Sequence, residues 1–196
     1  KPEILRREVD ALKNLSHTYI PQVYDFFVED ETVYTVMDYI EGESLDKPLI
    51  RGERISQPQL ISWACQLLEA LIYLHSPTHG TPPKGIVHGD IKPANIMVTP
   101  RGNVCLIDYN IALALGEESV VGRSAGYSSP EHYGLDFSSK TPTADDSTEV
   151  MTKMGTAQDA IPSEHSYSRN RLIIPDSRSD IYSLGATLYH LLSGIK

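Results

Sequence analysis

The chain has 196 residues, 40% hydrophobic and 22% charged, which is ordinary globular usage and argues against pervasive disorder, a collagen repeat or a coiled-coil rod. Seventeen Lys and Arg against 26 Asp and Glu leave a formal charge of −9, the wrong sign for gripping a phosphate backbone or an anionic membrane, so no nucleic-acid partner is expected. Apolar runs such as Ile111 to Leu115 are far shorter than a membrane span and the N-terminus lacks a signal pattern, so no membrane contact is expected from this segment.

Residues 3–16 place Leu5, Val9, Leu12 and Leu15 at helical spacing with charges between them, and Ser16-His17-Thr18 breaks the pattern. Two β-rich runs follow, Gln22 to Val28 and Thr32 to Asp38, joined by the acidic turn Glu29-Asp30-Glu31. The stretch Glu41-Gly42-Glu43-Ser44 ends them. Ser56-Gln57-Pro58-Gln59 has the capping-box form, and Leu60, Ala64, Leu67, Leu68, Leu71 and Leu74 then repeat along one face of a long core helix. A Pro/Gly-rich loop from Ser76 to Gly85 precedes strand-like pieces at Ile86-Val87, Ile96 to Val98 and Val104 to Ile107.

Residues 136–170 hold 11 Ser or Thr and six acidic residues among 35 with no sustained period, and read as a Ser/Thr-rich insert expected to be mobile. Regular structure resumes near Asp176, where Ile181, Leu184, Leu188, Leu191 and Leu192 describe a helix face ended by Gly194. Cys65 and Cys105 fall in a predicted helix and a predicted strand, which suggests neither a disulfide framework nor a thiolate metal cluster. A reducing, cytoplasmic setting is expected, whether or not the parent protein is membrane-anchored.

The chemistry gathers in His88-Gly89-Asp90-Ile91-Lys92-Pro93-Ala94-Asn95, with Asp108 thirteen residues after Asn95. Two carboxylates, an ammonium and an amide around one short hairpin match what phosphoryl transfer requires. Its loose transition state depends on positioning and charge neutralisation: a carboxylate for the attacking hydroxyl, a cation on the phosphate and hard oxygen ligands for magnesium. Alone, Asp90 or Asp108 reads as a turn or capping residue, Lys92 as a solvated charge, Asn95 as a turn amide and His88 as a satisfied buried histidine. The joint spacing favours catalysis.

This loop resembles the His-Arg-Asp catalytic loop of protein kinases, and Asp108-Tyr109-Asn110 resembles their Asp-Phe-Gly metal motif. Arg7 to Leu12 with Leu15-Ser16-His17 looks like the family's αC helix and its exit, and Val36 to Gly42 looks like the hinge. Ser124-Ala125-Gly126-Tyr127-Ser128-Ser129-Pro130-Glu131 resembles the substrate-binding loop, and Ser179 to Gly185 resembles the αF helix. The order is the family's order, and the short Ile-Lys-Pro-Ala-Asn loop looks like that of bacterial Ser/Thr kinases.

The resemblance implies a partial α+β two-lobed kinase fold: a small-lobe part over 1–39 and a large-lobe part over 40–196. It implies that ATP and magnesium are used to phosphorylate a protein Ser or Thr. Asp90 would act as base, Lys92 on the γ-phosphate, and Asn95 and Asp108 on magnesium. Glu8 would be the αC acid and Met37 the gatekeeper. The Asp38 carbonyl and the Ile40 backbone would meet adenine, Ser44 and the Ala94 carbonyl the ribose, and Met97 the underside of the ring. Leu12, Val23, Tyr109 and His88 would stack between the lobes. Asp180 would hold the catalytic-loop backbone, and Ser124 would sit beside Asp90 and Lys92.

The sequence departs from the family in several places. A Gly-rich loop and strand lysine would lie upstream of Glu8, where seven residues stand, and the chain stops after αF; the expectation is a piece of a longer kinase. Gly89 stands where the family has arginine, so control by an activation-segment phosphate is not expected, and Asn110 replaces a glycine. Glu117-Glu118-Ser119 and the insert are candidate modification sites. Two competing functions are a small-molecule phosphotransferase of the aminoglycoside or choline type, which usually lacks a residue like Lys92, and a pseudokinase or binding module.

Overall fold

The computed structural model describes residues 11–30, 32–80, 84–108, 124–130 and 176–195. Glu8, Tyr109, Asn110, the 117–119 stretch, Glu131 and the 136–170 insert lie outside the described residues. Residues 11–13 are helical, and Leu12 and Leu15 beside them are almost fully buried, as their helical spacing predicts.

Strands β1 (Val23–Glu29) and β2 (Thr32–Met37) form an antiparallel two-stranded sheet, within one residue of the boundaries read from sequence. Phe27 faces Tyr34 across the pair with stacked rings 5.1 Å apart, a cross-strand aromatic contact that fixes register. Lys13 ties the helix end to this hairpin through a 2.8 Å ion pair with Asp25.

A second antiparallel sheet has the order β3 (Glu43–Ser44), β4 (Ile96–Val98), β5 (Val104–Leu106). Strand β3 and the short helix α1 (Asp46–Ile50) that follows it lie where sequence reading found only the end of a β-rich run. Two residues carry no period, so the pairing rests on a close approach. Gly42 has φ +135°, and a Cβ there would stand 1.9 Å from the Val98 carbonyl oxygen, which leaves glycine as the residue that fits.

Helix α2 (Gln57–Leu74) starts as expected: the Ser56 side chain accepts the Gln59 N–H, and Pro58 sits in the first turn, where a missing N–H costs nothing. Its buried face is rotated from the leucine stripe. Trp63, Gln66 and Ala70 join Leu60, Leu67, Leu71 and Leu74 in the interior, whereas Leu68 is exposed and Ala64 only partly buried. The cause is the β4–β5 turn. Trp63 Nε1 donates to the Gly102 carbonyl at 2.9 Å, Gln66 Oε1 accepts the Val104 N–H at 2.8 Å, and Gln66 Nε2 donates to Asn103 Oδ1 at 3.3 Å. Polar groups on the helix thus meet backbone that a leucine would leave unpaired.

The Ile86-Val87 piece forms no strand, contrary to expectation, because the Ile86 N–H bonds instead to the Leu74 carbonyl at the end of α2, 2.8 Å away. Helix α3 (Ser177–Ser193) is capped by the Asp176 side chain, which accepts the Arg178 N–H, and by Gly194 at φ +70°. Its inward face is Ser179, Asp180, Ser183, Leu184, Thr187 and Leu191, with Leu188 packed at the margin; Ile181 and Leu192 point outward, against the sequence reading. Small hydroxyl residues and one carboxylate thus make up much of that buried face. The core itself joins α2 to both hairpins through Val23, Leu45, Leu67, Leu71, Leu74, Ile91, Ile96, Val104 and Leu106, all nearly inaccessible.

Replacing Gln66 with Leu keeps the apolar bulk but orphans the Val104 N–H, so Gln66→Leu is expected to destabilise the fold by about 1–3 kcal/mol in urea titration.

Candidate active site

The loop 88–95 leaves the core on a backbone that one carboxylate holds. The N–H groups of His88 and Gly89 donate to Asp180 Oδ2 and Oδ1, each at 2.8 Å. His75 Nε2 meets the same Oδ2 at 2.8 Å. Asp180 is 1% exposed, a burial tolerable for a carboxylate that is fully hydrogen-bonded and lies in the first turn of α3, where helix amides favour negative charge. The expected contact of Asp180 with the loop backbone is therefore present. His75, the residue that closes α2, was missed by sequence reading, since its partner lies 105 positions away. Gly89 has φ +78°, a left-handed conformation that glycine adopts without a Cβ clash.

His88 is wholly buried. Its Nδ1 accepts the Asp90 N–H at 3.3 Å and its Nε2 faces the Ile107 carbonyl at 3.0 Å, a pairing that only the neutral imidazole with its proton on Nε2 satisfies at both ends. Burial pushes its pKa below the ordinary histidine value, and the nearby Asp180, the Ile107 carbonyl, Asp90 and Asp108 only partly oppose that. The imidazole joins the loop to the end of β5.

Asp90 gathers three side chains. Ser124 donates its hydroxyl to Asp90 Oδ1 at 2.7 Å, Lys92 Nζ meets Asp90 Oδ2 at 2.7 Å, and Asn95 Nδ2 donates to Oδ2 at 3.0 Å and to the Asp90 carbonyl at 2.9 Å. Lys92 Nζ also donates to Ser124 Oγ at 3.0 Å, closing a triangle of carboxylate, cation and alcohol. Side-chain exposures of 21% for Asp90 and 27% for Lys92 leave the triangle open to solvent on one side.

The short 3₁₀ turn Pro93–Asn95 presents Asn95, whose amide nitrogen is spent on Asp90 and whose oxygen remains as a donor atom for a ligand. The Ile107 N–H donates to the Asn95 carbonyl at 2.9 Å, which seats Asp108 next to this turn. Asp108 is exposed and has φ +59°, a conformation that Asp tolerates better than most side chains and that turns the chain sharply after β5. Among the described residues no cluster of three His, Cys, Asp or Glu could hold a metal ion. An amide oxygen and one carboxylate suit magnesium, which keeps waters and phosphate oxygens as its other ligands.

The remaining expected site residues lie on the two hairpins. Met37 ends β2 opposite Val23, and both pack into the core with Leu12. The Asp38 carboxylate is occupied, accepting the Gln22 N–H at 3.0 Å and the Tyr24 hydroxyl at 2.7 Å, and the Asp38 N–H donates to the Gln22 carbonyl at 3.0 Å. Ser44 and Met97 are direct partners across β3 and β4, and Ser44 donates its hydroxyl to Asp46. Met97 is also paired with Cys105, whose thiol burial and the Asp38 charge push up to about 12. Ile40 is half-buried, and Ala94 is exposed on the 3₁₀ turn. Among the described residues no helix is long and apolar enough to cross a membrane.

Two measurements test this geometry. Asp180→Ala strands three donors and is expected to cost about 3 kcal/mol or more by thermal or urea unfolding. Imidazole nitrogen NMR at pH 6 is expected to find His88 neutral with its proton on Nε2. The unfolded chain would take up that proton near pH 6.5 and the folded one only at lower pH, so this group favours unfolding as pH falls below 6.5.

The protein kinase domain family matches residues 1–196. A probable serine/threonine-protein kinase of Streptomyces coelicolor is 30% identical over 192 residues, which cover 96% of this chain and 23% of that protein. Serine/threonine-protein kinase PknB of Mycolicibacterium smegmatis is 32% identical over 200 residues, covering 96% and 25%, and PrkC of Bacillus subtilis is 28% identical over 195 residues, covering 96% and 23%. The chain thus spans about a quarter of the length of these curated relatives. Among solved structures, the crystal structure of Rad53 1–466 in complex with AMP-PNP superposes with a TM-score of 0.61 at 19% identity, covering 98% of this chain and 38% of that one. Since the match runs through the whole chain and not through the catalytic loop alone, this chain belongs to the protein kinase family.

Proposed function

We propose that this chain is the catalytic part of a Ser/Thr protein kinase, which transfers the γ-phosphate of ATP to a protein hydroxyl. The observation that carries the reading is the seat of Ser124. An alcohol already lies with its proton on Asp90 Oδ1 and its oxygen on Lys92 Nζ, the arrangement that an incoming serine or threonine needs. In the reaction Asp90 orients that hydroxyl and takes its proton, while Lys92 offsets charge on the transferring phosphoryl group. The names of the curated relatives favour this over a small-molecule phosphotransferase.

Asn95 and Asp108 would hold magnesium, which when bound neutralises phosphate charge. The enclosing residues for adenine would be Met37, the Asp38 carbonyl, the Ile40 backbone and Met97, with Ser44 and the Ala94 carbonyl at the ribose. Glu8 would serve as the acid of the N-terminal helix. We assign 1–39 to the small lobe and 40–196 to the large lobe, with the nucleotide between them. A protein bearing Ser or Thr is the substrate, and the free thiols Cys65 and Cys105 suit a cytoplasmic setting.

Calorimetric titration of Mg-ATP into the chain in its native reading frame tests the nucleotide site: binding is expected to depend on magnesium and to be lost in Asp108→Asn. Asp90→Asn is expected to keep that binding and to lower phosphotransfer by about 100-fold or more. Undiminished transfer by Asp90→Asn would remove Asp90 as the base, and magnesium-independent binding would remove Asn95 and Asp108 as its ligands.

A further inference from the structure

Strand β1 carries one residue more than β2 pairs with. Val23 lies opposite Met37 and Asp25 opposite Val36, so Tyr24 is the extra residue of a β-bulge. In a regular strand Asp25 would share the inward face of the buried Val23. The bulge instead leaves Tyr24 and Asp25 both exposed, and each meets a different neighbour. Asp25 pairs with Lys13 at the end of the N-terminal helix, and the Tyr24 hydroxyl donates to Asp38 Oδ1 at 2.7 Å.

Asp38 is the first residue beyond β2, and it is held at three points. Its N–H donates to the Gln22 carbonyl, its Oδ2 accepts the Gln22 N–H and its Oδ1 accepts the Tyr24 phenol. Gln22 is itself fixed, since its side-chain nitrogen donates to the carbonyls of Lys13 at 2.7 Å and Val23 at 3.0 Å. The Tyr24 bond holds the Asp38 carboxyl below its ordinary pKa and the phenol above its own, so at neutral pH the phenol remains the donor and the carboxylate the acceptor. Among the described residues no N–H donates to the Asp38 carbonyl. A residue pinned through its N–H and both carboxylate oxygens has little freedom to turn that carbonyl.

We infer that Tyr24 is a positioning residue for the nucleotide base: its phenol, aimed by the bulge, clamps Asp38 so that the Asp38 carbonyl is set to accept from the amino group of adenine and to repel the oxygen that guanine carries in its place. The inference rests on the kinase reading above, which supplies the contact of that carbonyl with adenine. Tyr24 acts through Asp38. A carbonyl freed from the clamp can turn away from the base, which weakens its bond to adenine and relieves its repulsion of guanine together.

The test is calorimetric titration of Mg-ATP and of Mg-GTP into the chain in its native reading frame, with melting curves to confirm folding. Tyr24→Phe keeps the ring and removes the donor alone. It is expected to weaken Mg-ATP about 3–10-fold and Mg-GTP by less than about two-fold, so that the preference for ATP falls. Asp25→Asn loosens the Lys13 pair of the same hairpin and is expected to leave the ATP-to-GTP ratio within about two-fold, a distinction that general loosening would not give. In an Asp38→Ala background Tyr24→Phe is expected to change neither affinity further, because the donor has already lost its acceptor. An unchanged preference in a folded Tyr24→Phe overturns the inference, as does an Asp25→Asn that shifts the ratio equally, or a further shift in the double variant. Should Tyr24→Phe not fold, Asp38→Ala must show the same fall in preference. Wild-type protein that binds no Mg-ATP overturns the kinase reading and this inference with it, whereas wild-type protein that binds Mg-ATP with no preference over Mg-GTP overturns the inference alone.

Discussion

The site depends on one buried carboxylate. Asp180 takes its hydrogen bonds from the backbone of His88 and Gly89 and from the imidazole of His75, so it joins the start of α3, the end of α2 and the catalytic loop at a single point. A buried carboxylate short of donors would be strongly destabilising. The requirement to satisfy it therefore dictates where the two amides point, and with them the direction in which the chain leaves toward Asp90. The left-handed Gly89 is the backbone consequence.

A second layer of constraint acts on Asp90. Its oxygens receive Ser124, Lys92 and Asn95, and its own N–H is held by the buried His88. A carboxylate fixed in this way is held in one orientation, and preorganised polar groups of this kind need not reorganise when a charge develops beside them. Asn95 braces Asp90 through its amide nitrogen, which donates to both the Asp90 carbonyl and its carboxylate. The same hydrogen-bonded chain runs from the Asn95 carbonyl to the Ile107 N–H, and from the Ile107 carbonyl to His88. Asp90, Asn95 and the end of β5 are thereby built as one unit.

The two hairpins have different duties. The β3–β4–β5 sheet is anchored to α2 by Trp63 and Gln66, side chains that bind backbone around the Gly102–Val104 turn. This fixes the hairpin between Asn95 and Asp108 against α2. Among the described residues, the β1–β2 hairpin is tied down by the Lys13–Asp25 pair and by the packing of Val23 and Met37 with Leu12. Exposed Tyr24, Phe27 and Tyr34 show how little of that hairpin's surface the described residues cover.

Local signals were enough for part of this. The Ser56 and Asp176 caps, the Gly194 stop and the strand alternation are decided by neighbours within a few residues, and their element boundaries fall close to those read from the sequence. The spacing of Asp90, Lys92, Asn95 and Asp108 is likewise a property of one hairpin, short enough for sequence to place its groups together. Tertiary contact decided the rest. Ile86-Val87 gave its backbone to a helix end instead of a strand, and α2 buried Trp63 and Gln66 in place of Leu68 because a distant turn offered unpaired backbone groups. The partnerships of His75 with Asp180 and of Tyr127 with His190 span 105 and 63 positions. No periodicity or local motif encodes bonds at such separations: they form only when packing of apolar faces has brought remote donors and acceptors into a space without water to satisfy them.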